Sequence, residues 1–194
     1  MEDMLTILKG CRNFDPRFQK LLYEKHRHFA LKVVLRYVFN YEEAVEVVND
    51  GFVKFFLQID KFIMDDEALI EKRLTGWIKR IMINTSIDLL RRKMLLPEIG
   101  TLPDNTWDIK DEGASADHNT LYNELIKTIR RLPPVYRIIF NMHVLDGYMH
   151  MEIAEALDIP IGTCKSYLLR SKILLQKYLK HLDDMAPWTT QKTI

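Results

Sequence analysis

Residues 132–175 read LPPVYRIIFNMHVLDGYMHMEIAEALDIPIGTCKSYLLRSKILL, and this stretch decides the fold. Within it, residues 151–157 predict a short helix, residues 158–162 a tight turn, and residues 163–179 a second helix. That order of elements is a helix-turn-helix, the unit that places a helix in the major groove of DNA. Asp158 stands at the turn position where a left-handed backbone is usual, and Asp tolerates that conformation better than most residues.

The second of these helices separates on a helical wheel into two faces. The predicted core face holds Cys164, Tyr167, Leu168, Leu174, Leu175, Tyr178 and Leu179. The opposite face, called the recognition face below, holds Lys165, Ser166, Leu169, Arg170, Ile173 and Lys177. It could belong to a basic surface helix with two stray apolar residues. However, apolar residues between cations favour a helix that reads DNA, with cations for phosphates and apolar groups for base edges.

The composition predicts an all-α protein. The chain has 194 residues with only 7 glycines and 7 prolines, and its apolar pattern is helical almost throughout. No stretch is long and apolar enough to cross a membrane. Residues 1–15 lack the basic region and apolar run of a signal peptide, so we expect none and expect a cytoplasmic protein without membrane insertion.

The sequence offers no pattern for catalysis or metal binding. Cys11 and Cys164 have no metal-ligand spacing, and both are expected to be reduced, as in the cytosol. The histidines form no ligand pattern, and no phosphate-binding loop or nucleophile motif occurs. We therefore expect no metal, no cofactor and no enzymatic activity.

Charge is distributed unevenly along the chain. The formal net charge is only +1, which argues against strong DNA binding by the protein alone. Residues 97–117, PEIGTLPDNTWDIKDEGASAD, contain six acids and one base without helical periodicity, so they predict a flexible acidic linker. The linker would join two small helical domains, residues 1–96 and 118–182, and a tail would follow at residues 183–194.

Local signals place the other helices. Asp15 and Pro16 open a helix predicted to run to about residue 39, and Asn40 caps one predicted to run to about residue 61. A third is predicted over residues 71–93, and residues 1–11 form a short extra helix. In the second domain a helix ends before residue 132, Pro133 and Pro134 open the next, and Gly147 breaks the chain.

The helix over residues 77–93 predicts a second nucleic-acid surface. Its polar side holds Trp77, Arg80, Asn84, Asp88 and Arg91. An exposed Trp beside Arg and Asn is typical of a single-strand site, where bases stack on the aromatic plane. Two alternatives stay open: Trp77 is a core aromatic at a helix end, and the cations at residues 91–93 stabilise a helix C-terminus.

The helix that begins at Tyr41 predicts a protein-binding surface. Its expected buried side is Tyr41, Val45, Val48, Phe52, Phe55, Phe56 and Ile59. The opposite side, called the docking face below, holds Glu42, Glu46, Asn49, Asp50, Val53 and Leu57. Carboxylates would repel DNA, so acids beside two apolar residues favour a basic protein partner. A charged surface helix is the alternative.

Three motifs in this order resemble the extracytoplasmic-function (ECF) sigma factors of bacterial RNA polymerase over about residues 5–180. The first is NYEEAVEVVNDGF at residues 40–52, and the second is WIKRIMINTSIDLLR at residues 77–91, continuing to Arg92. The third extends over residues 132–176 and includes the helix-turn-helix. The three motifs together are much more specific than the helix-turn-helix alone.

The resemblance implies a promoter-specificity subunit that binds core RNA polymerase, recognises promoter DNA and assists its melting. Clamp helices of the polymerase large subunit would contact Glu46, Asn49 and Asp50, with Glu42 beside them. The melted −10 element would lie near Trp77, Arg80, Asn84, Asp88, Arg91 and Arg92, and the loop over residues 60–75 would help to read a flipped base. The −35 duplex would meet Thr163, Lys165, Ser166, Leu169, Arg170 and Lys172. The acidic linker would pass near the RNA exit path, and an anti-sigma factor is implied because the family commonly has one.

The sequence departs from the family pattern at two caps: Met149 replaces a Ser or Thr, and Pro160–Ile161 replace Ser-Glu. Two other functions stay open. A stand-alone helix-turn-helix regulator would need a dimer interface or a sensor domain, and neither is evident. An enzyme would need the catalytic motifs that the sequence lacks.

Overall fold

The computed structural model describes residues 3–63, 67–93 and 120–185, with the side chains of residues 3–63, 68–93 and 125–180. All of the regular structure in these residues is helical, and they contain no β-strand, which confirms the all-α prediction. They form two compact units: unit A comprises the described residues up to 93, and unit B those from 120 onward. The predicted linker at residues 97–117 and the tail from residue 186 lie outside the described residues.

Unit A consists of four α-helices and two short 3-10 turns. The helices are α1 (Met4–Arg12), α2 (Pro16–Val34), α3 (Tyr41–Leu57) and α4 (Ile70–Arg92), and the 3-10 turns at Ile59–Lys61 and Glu67–Leu69 lie between α3 and α4. Unit B contains α5 (Thr120–Arg130), α6 (Pro134–Phe140), a π-helical turn at Asn141–Leu145, α7 (His150–Leu157) and α8 (Ile161–Met185).

Side-chain caps begin the first three helices. The Asp3 carboxylate accepts a hydrogen bond from the Thr6 backbone N–H at 2.6 Å, and the Asp15 carboxylate accepts one from Arg17 at 2.9 Å. The Asn40 side chain accepts one from Glu43 N–H at 3.0 Å. These bonds satisfy N–H groups that have no partner inside the helix, and they confirm the predicted starts of α2 and α3.

The predicted C-terminal ends of α2 and α3 were wrong. Helix α2 ends at Val34 rather than near residue 39, because the Tyr37 N–H bonds to the Val34 carbonyl in a tighter turn that buries the Tyr37 side chain. Helix α3 ends at Leu57, where Gln58 N–H bonds to the Phe55 carbonyl and a 3-10 turn follows. In both places burial of the next side chains prevails over continued helix periodicity.

The core of unit A lies between α2, α3 and α4. Its fully buried side chains include Leu22, Phe52, Phe55, Leu74, Ile78 and Met82. Burial of each such side chain contributes about 1.5–3 kcal/mol. Helix α1 packs closely on α2, since a Cβ added at Gly10 would collide with the Phe18 ring. Tyr41, predicted to be buried, is 63% exposed because the first residue of α3 lies beyond this core.

The core of unit B lies around α8. Ile129, Leu132, Tyr136 and Leu175 form its central cluster. Arg137 is buried beside it and donates hydrogen bonds to the carbonyls of Arg130 and Leu132, both at 3.1 Å. Burial, helped by the charge of Arg130, lowers the pKa of Arg137 to about 10. The side chain therefore remains charged at neutral pH and caps the carbonyl end of α5.

The helix-turn-helix is confirmed as α7, a turn and α8. Asp158 adopts the left-handed conformation, with φ 54° and ψ 50°, and the Ile159 N–H bonds to the Ala154 carbonyl at 2.9 Å. Met149 caps α7 without a hydroxyl, because the Glu152 carboxylate accepts the Met149 N–H at 2.8 Å. The family-typical cap residue is therefore replaced by a carboxylate from within the helix.

Candidate nucleic-acid and protein interfaces

The recognition face of α8 is exposed in full. Lys165, Ser166, Arg170 and Lys177 are exposed, and Leu169 and Ile173 are 61% and 54% exposed. Two further predicted contacts lie near this face: Lys172 is exposed and Thr163 is half-buried. The arrangement offers cations to phosphates and apolar surface to base edges, as a helix in the major groove requires.

The predicted core face of α8 is confirmed except at its far end. Cys164, Leu168 and Leu175 are buried, whereas Leu179 is 38% exposed. Leu179 lies one turn beyond Leu175, the last buried residue of α8 in the part of the chain whose side chains are described. The helix thus continues past the core that it covers.

Two polar residues of the recognition face have contacts within unit B. The Arg170 guanidinium lies 3.5 Å from the Tyr136 hydroxyl, which restrains the end of its side chain beside α6. The Ser166 hydroxyl donates to the Gly162 carbonyl at 2.9 Å and retains its lone pairs as acceptors. Both groups are therefore oriented before any ligand binds.

Sequence reasoning missed a histidine pair beside the recognition face. The rings of His143 and His150 lie 4.4 Å apart, and His143 Nδ1 lies 2.9 Å from the Tyr148 carbonyl oxygen. Burial, with the nearby charges of His143, Lys165 and Lys172, lowers the pKa of His150. Lys165 of the recognition face therefore lies close enough to the start of α7 to disfavour the charged form of His150. The only sign of this pair in the sequence is that His143 precedes and His150 follows the turn at Gly147.

The second predicted nucleic-acid surface lies on α4. Arg80, Asn84, Arg91 and Arg92 are exposed along this helix. Asp88 lies on the same side, and its carboxylate forms an ion pair with Lys54 of α3 at 2.9 Å. The pairing compensates the one negative charge among the predicted contacts of α4.

Trp77 differs from its prediction as an exposed plane. It is half-buried, and its indole stacks on the Phe62 ring with centroids 5.3 Å apart and an interplanar angle of 18°. Phe55 packs against it at 4.8 Å. The alternative of a core aromatic at a helix end therefore describes much of its environment. The reason is the 3-10 turn after α3, which brings Phe62 over the indole.

A cleft of about 300 Å³ lies beside Trp77 and is called the aromatic pocket below. It is lined by Lys61, Phe62, Ile63, Arg73 and Trp77. An aromatic wall with two cations provides the groups that single-stranded nucleic acid requires, stacking for bases and charge for phosphates. The family resemblance implied that the loop over residues 60–75 helps to read a flipped base. The sequence pattern did not identify Lys61 or Arg73 as part of such a site.

The docking face of α3 is exposed as predicted. Its polar residues Glu42, Glu46, Asn49 and Asp50 are exposed, and Val53 and Leu57 are 57% and 70% exposed. The Asn49 side-chain oxygen accepts a hydrogen bond from the Tyr23 hydroxyl at 2.9 Å, which ties this part of the face to α2. Acids beside two exposed apolar residues suit a partner that is both basic and apolar.

The family model for sigma-70 region 2 matches residues 22–95, and the model for sigma-70 region 4 matches residues 122–175. The chain belongs to the ECF sigma factors of the sigma-70 family. It is a promoter-specific transcription initiation factor that acts with RNA polymerase. The docking face and both nucleic-acid surfaces lie within the matched segments, except for Lys177 at the end of the recognition face.

Individual sigma factors are similar over most of their length. The ECF RNA polymerase sigma factor SigW of Bacillus subtilis is 29% identical over 153 residues, which cover 74% of this chain and 79% of SigW. RNA polymerase sigma-H factor of Pseudomonas aeruginosa is 25% identical over 186 residues, 91% of this chain and 93% of that protein. The sigma factor RpoE of Bartonella quintana, solved with the anti-sigma factor NepR, shares the fold at a TM-score of 0.52 and 19% identity, covering 83% of this chain and 96% of that chain.

The described part of this sigma factor holds no group of three or more His, Cys, Asp or Glu residues that could bind a metal ion. Both cysteines are buried and free, and burial raises the pKa of the Cys11 thiol to about 11 with help from Asp15. Among the described helices, none is long and apolar enough to cross a membrane.

Proposed function

We propose that this sigma factor divides promoter recognition between its two units. Unit B reads the −35 duplex with the recognition face of α8, including Thr163 and Lys172 at its edge. Unit A holds the melted −10 strand against the polar side of α4 and in the aromatic pocket. The observation that carries the proposal is the full exposure of the recognition face, where Leu169 and Ile173 stay in water between cations.

The −10 role rests on the chemistry that α4 and the aromatic pocket place together. Arg80, Asn84, Arg91 and Arg92 are exposed donors for phosphates and base edges, and Trp77 and Phe62 form one wall of the pocket. Because one face of Trp77 is covered by Phe62, a flipped base would meet the free edge of this stacked pair instead of an open plane. Asp88 contributes less, since Lys54 already pairs with its carboxylate.

The docking face would bind the clamp helices of the polymerase large subunit. Glu46 and Asp50 would pair with basic side chains there, while Val53 and Leu57 would bury apolar surface. Glu42 and Asn49 lie on the same face of α3. Charge complementarity would orient the encounter, and the apolar residues would supply much of the affinity.

The domain assignment follows from these roles. Residues 1–96 would form the region 2 domain and residues 118–182 the region 4 domain, with the acidic linker at residues 97–117 passing near the RNA exit path. The sigma factor would act in the cytoplasm, would need no cofactor and would perform no chemistry itself. An anti-sigma partner is proposed because the Bartonella quintana relative was solved with one.

Run-off transcription tests the proposal. The full chain is added to a bacterial core RNA polymerase with promoters selected from a random DNA library, and specific transcripts are expected only when both proteins are present. Tight and sequence-specific duplex binding by the free protein, without polymerase stimulation, would instead favour a stand-alone regulator. Weak free binding is expected because the net charge is +1 and polymerase must fix the spacing of the two sites.

A further inference from the structure

A long-range contact joins α1 to the wall of the aromatic pocket. Arg12, the last residue of α1, donates a hydrogen bond from its guanidinium to the Phe62 carbonyl oxygen at 2.9 Å. The same guanidinium lies 3.4 Å from the Asp60 carboxylate. Phe62 in turn stacks on Trp77. One side chain therefore connects the N-terminal helix to both ends of the segment that carries Lys61 into the pocket.

We infer that Arg12 is a positioning residue for single-stranded DNA, acting through the pocket instead of touching the strand. The inference rests on the proposed −10 role of the aromatic pocket. Arg12 fixes the backbone at residues 60–62, and this backbone sets the place of the Phe62 ring and of Lys61. A strand bound in the pocket then meets a wall that is already in position.

The chain segments that line the pocket differ in how they are supported. Arg73 and Trp77 lie on α4, a long helix whose backbone bonds are internal. Phe62 follows a single 3-10 turn and has extended backbone, with ψ 122°, so its carbonyl leaves the helical pattern. A charge-assisted bond from a guanidinium is stronger than a neutral one and is well suited to hold such a carbonyl.

The anchor of this contact is rigid. Leu8 and Cys11 of α1 are fully buried, and Gly10 lies so close to Phe18 that a side chain at residue 10 would not fit. Arg12 follows directly after this packed turn. Its position is thus fixed by the core of unit A, and it transmits that position to the pocket.

The test compares two substitutions on the same helix in the full chain, assembled with core polymerase. Arg12→Ala removes the contact, and Lys9→Ala removes an equal charge from an exposed site one turn earlier. The probe is the non-template strand of the −10 segment from a promoter selected by the wild-type holoenzyme. Arg12→Ala is expected to weaken binding of this strand about tenfold, the size of one hydrogen bond to a charged group, and Lys9→Ala less than about twofold.

A double-mutant cycle separates positioning from direct contact. In a Trp77→Ala background the pocket is already damaged, so Arg12→Ala should then cost less than about twofold. Equal losses in both backgrounds would show that Arg12 touches the strand or acts by charge, and would overturn the inference. Arg12→Lys keeps the charge but lacks the planar fork, so we expect only partial recovery. Full recovery would also count against positioning.

Two controls distinguish loss of the positioning role from misfolding of the variant and from failure of the proposed function. Polymerase affinity and duplex −35 binding should be unchanged in Arg12→Ala, because the docking face and unit B are untouched. Loss of polymerase binding, −35 duplex binding and −10 strand binding together would indicate that Arg12→Ala misfolds. The Arg12→Lys variant then decides whether Arg12 positions the pocket. If the wild-type holoenzyme selects no promoter or binds no −10 strand, the proposed function fails. If it binds and Arg12→Ala binds equally well, the positioning role alone is wrong.

Discussion

Lys54 of α3 and Asp88 of α4 form an ion pair of 2.9 Å, and this pair joins the helix that carries the docking face to the helix that carries the proposed −10 contacts. A second pair, at 2.5 Å, joins Glu43 of α3 to Lys93, the residue that directly follows α4. Both Lys54 and Asp88 are about half exposed, so the pair contributes at most about 1 kcal/mol to stability. Its greater effect is electrostatic, because it neutralises a carboxylate on the side of α4 that is proposed to meet DNA.

Removal of Lys54 should therefore affect DNA binding more than folding. Lys54→Ala leaves the Asp88 carboxylate uncompensated, and we expect weaker binding of the −10 strand at low salt, with the defect reduced at high salt. The matched variant Lys54→Ala/Asp88→Asn removes both charges and should regain affinity. Strand titrations at two salt concentrations measure the effect. A double variant as weak as the single one would contradict this role for Asp88.

Charge reversal tests the docking face. Glu46→Lys with Asp50→Lys should weaken polymerase association at least about tenfold, since like charges placed across an interface cost several kcal/mol. The double variant Glu24→Lys/Glu155→Lys makes the same net charge change at exposed positions outside the docking face and should bind nearly normally. A titrated pull-down compares the two, with circular dichroism to verify helix content. Equal affinities would exclude the docking face.

Arg170 and Asn84 should impair different steps of initiation. Arg170→Ala is expected to weaken closed-complex formation by about 1–3 kcal/mol if the guanidinium reads a base, and the effect should vanish on a template with a scrambled −35 element. Asn84→Ala should leave initial binding nearly intact and lower the fraction of open complex. Gel shifts and permanganate footprinting report the two steps. Pre-melted −10 DNA should restore much of the Asn84→Ala loss, and defects at the same step would refute the division between the units.

His26 should make unit A sensitive to acid. Burial lowers the pKa of His26, and the charge of Lys25 lowers it further against an opposing effect of Glu71. The unfolded chain therefore binds a proton at His26 more readily than the folded protein does. The stability that neutral His26 gives to the folded state is fully present above its ordinary pKa of 6.5 and is lost as pH falls through the lower pKa of the folded state. Amide hydrogen exchange of α2 between pH 7 and pH 5 should show falling protection.

The matched variants for this experiment lie on the same helix. His26→Leu should flatten the pH dependence because the buried titrating group is gone. His28→Leu changes an exposed histidine two residues away and should retain the wild-type slope. A wild-type slope in His26→Leu would assign the acid sensitivity to other groups.

Periodic features were predictable from the sequence, because a helix repeats every 3.6 residues and its exposed side follows from the pattern alone. The recognition face and the docking face are exposed for this reason. Asn40 and Asp15 were correctly read as caps, since capping needs only groups that are neighbours in the chain. The left-handed Asp158 followed from the same kind of local rule.

Features that depend on distant contacts were not predictable in this way. Trp77 lies on the polar side of the α4 wheel, yet Phe62 covers it through a 3-10 turn that no period describes. Arg12 and Phe62 are 50 residues apart, so no spacing rule connects them. The predicted burial of Tyr41 was wrong for a different reason. The helical pattern gives the direction of a side chain around the helix axis, but it does not show that the core ends before the first turn of α3.

Leu169 and Ile173 are exposed one turn apart on α8, and this has a consequence for handling the free protein. Two molecules could bury these side chains by pairing their α8 helices, but Lys165, Arg170 and Lys177 on the same face repel a second copy. Salt screens that repulsion over a Debye length of about 8 Å at physiological ionic strength and leaves the apolar attraction intact. Concentrated salt should thus promote self-association and lower solubility, so the isolated sigma factor is best stored in dilute buffer.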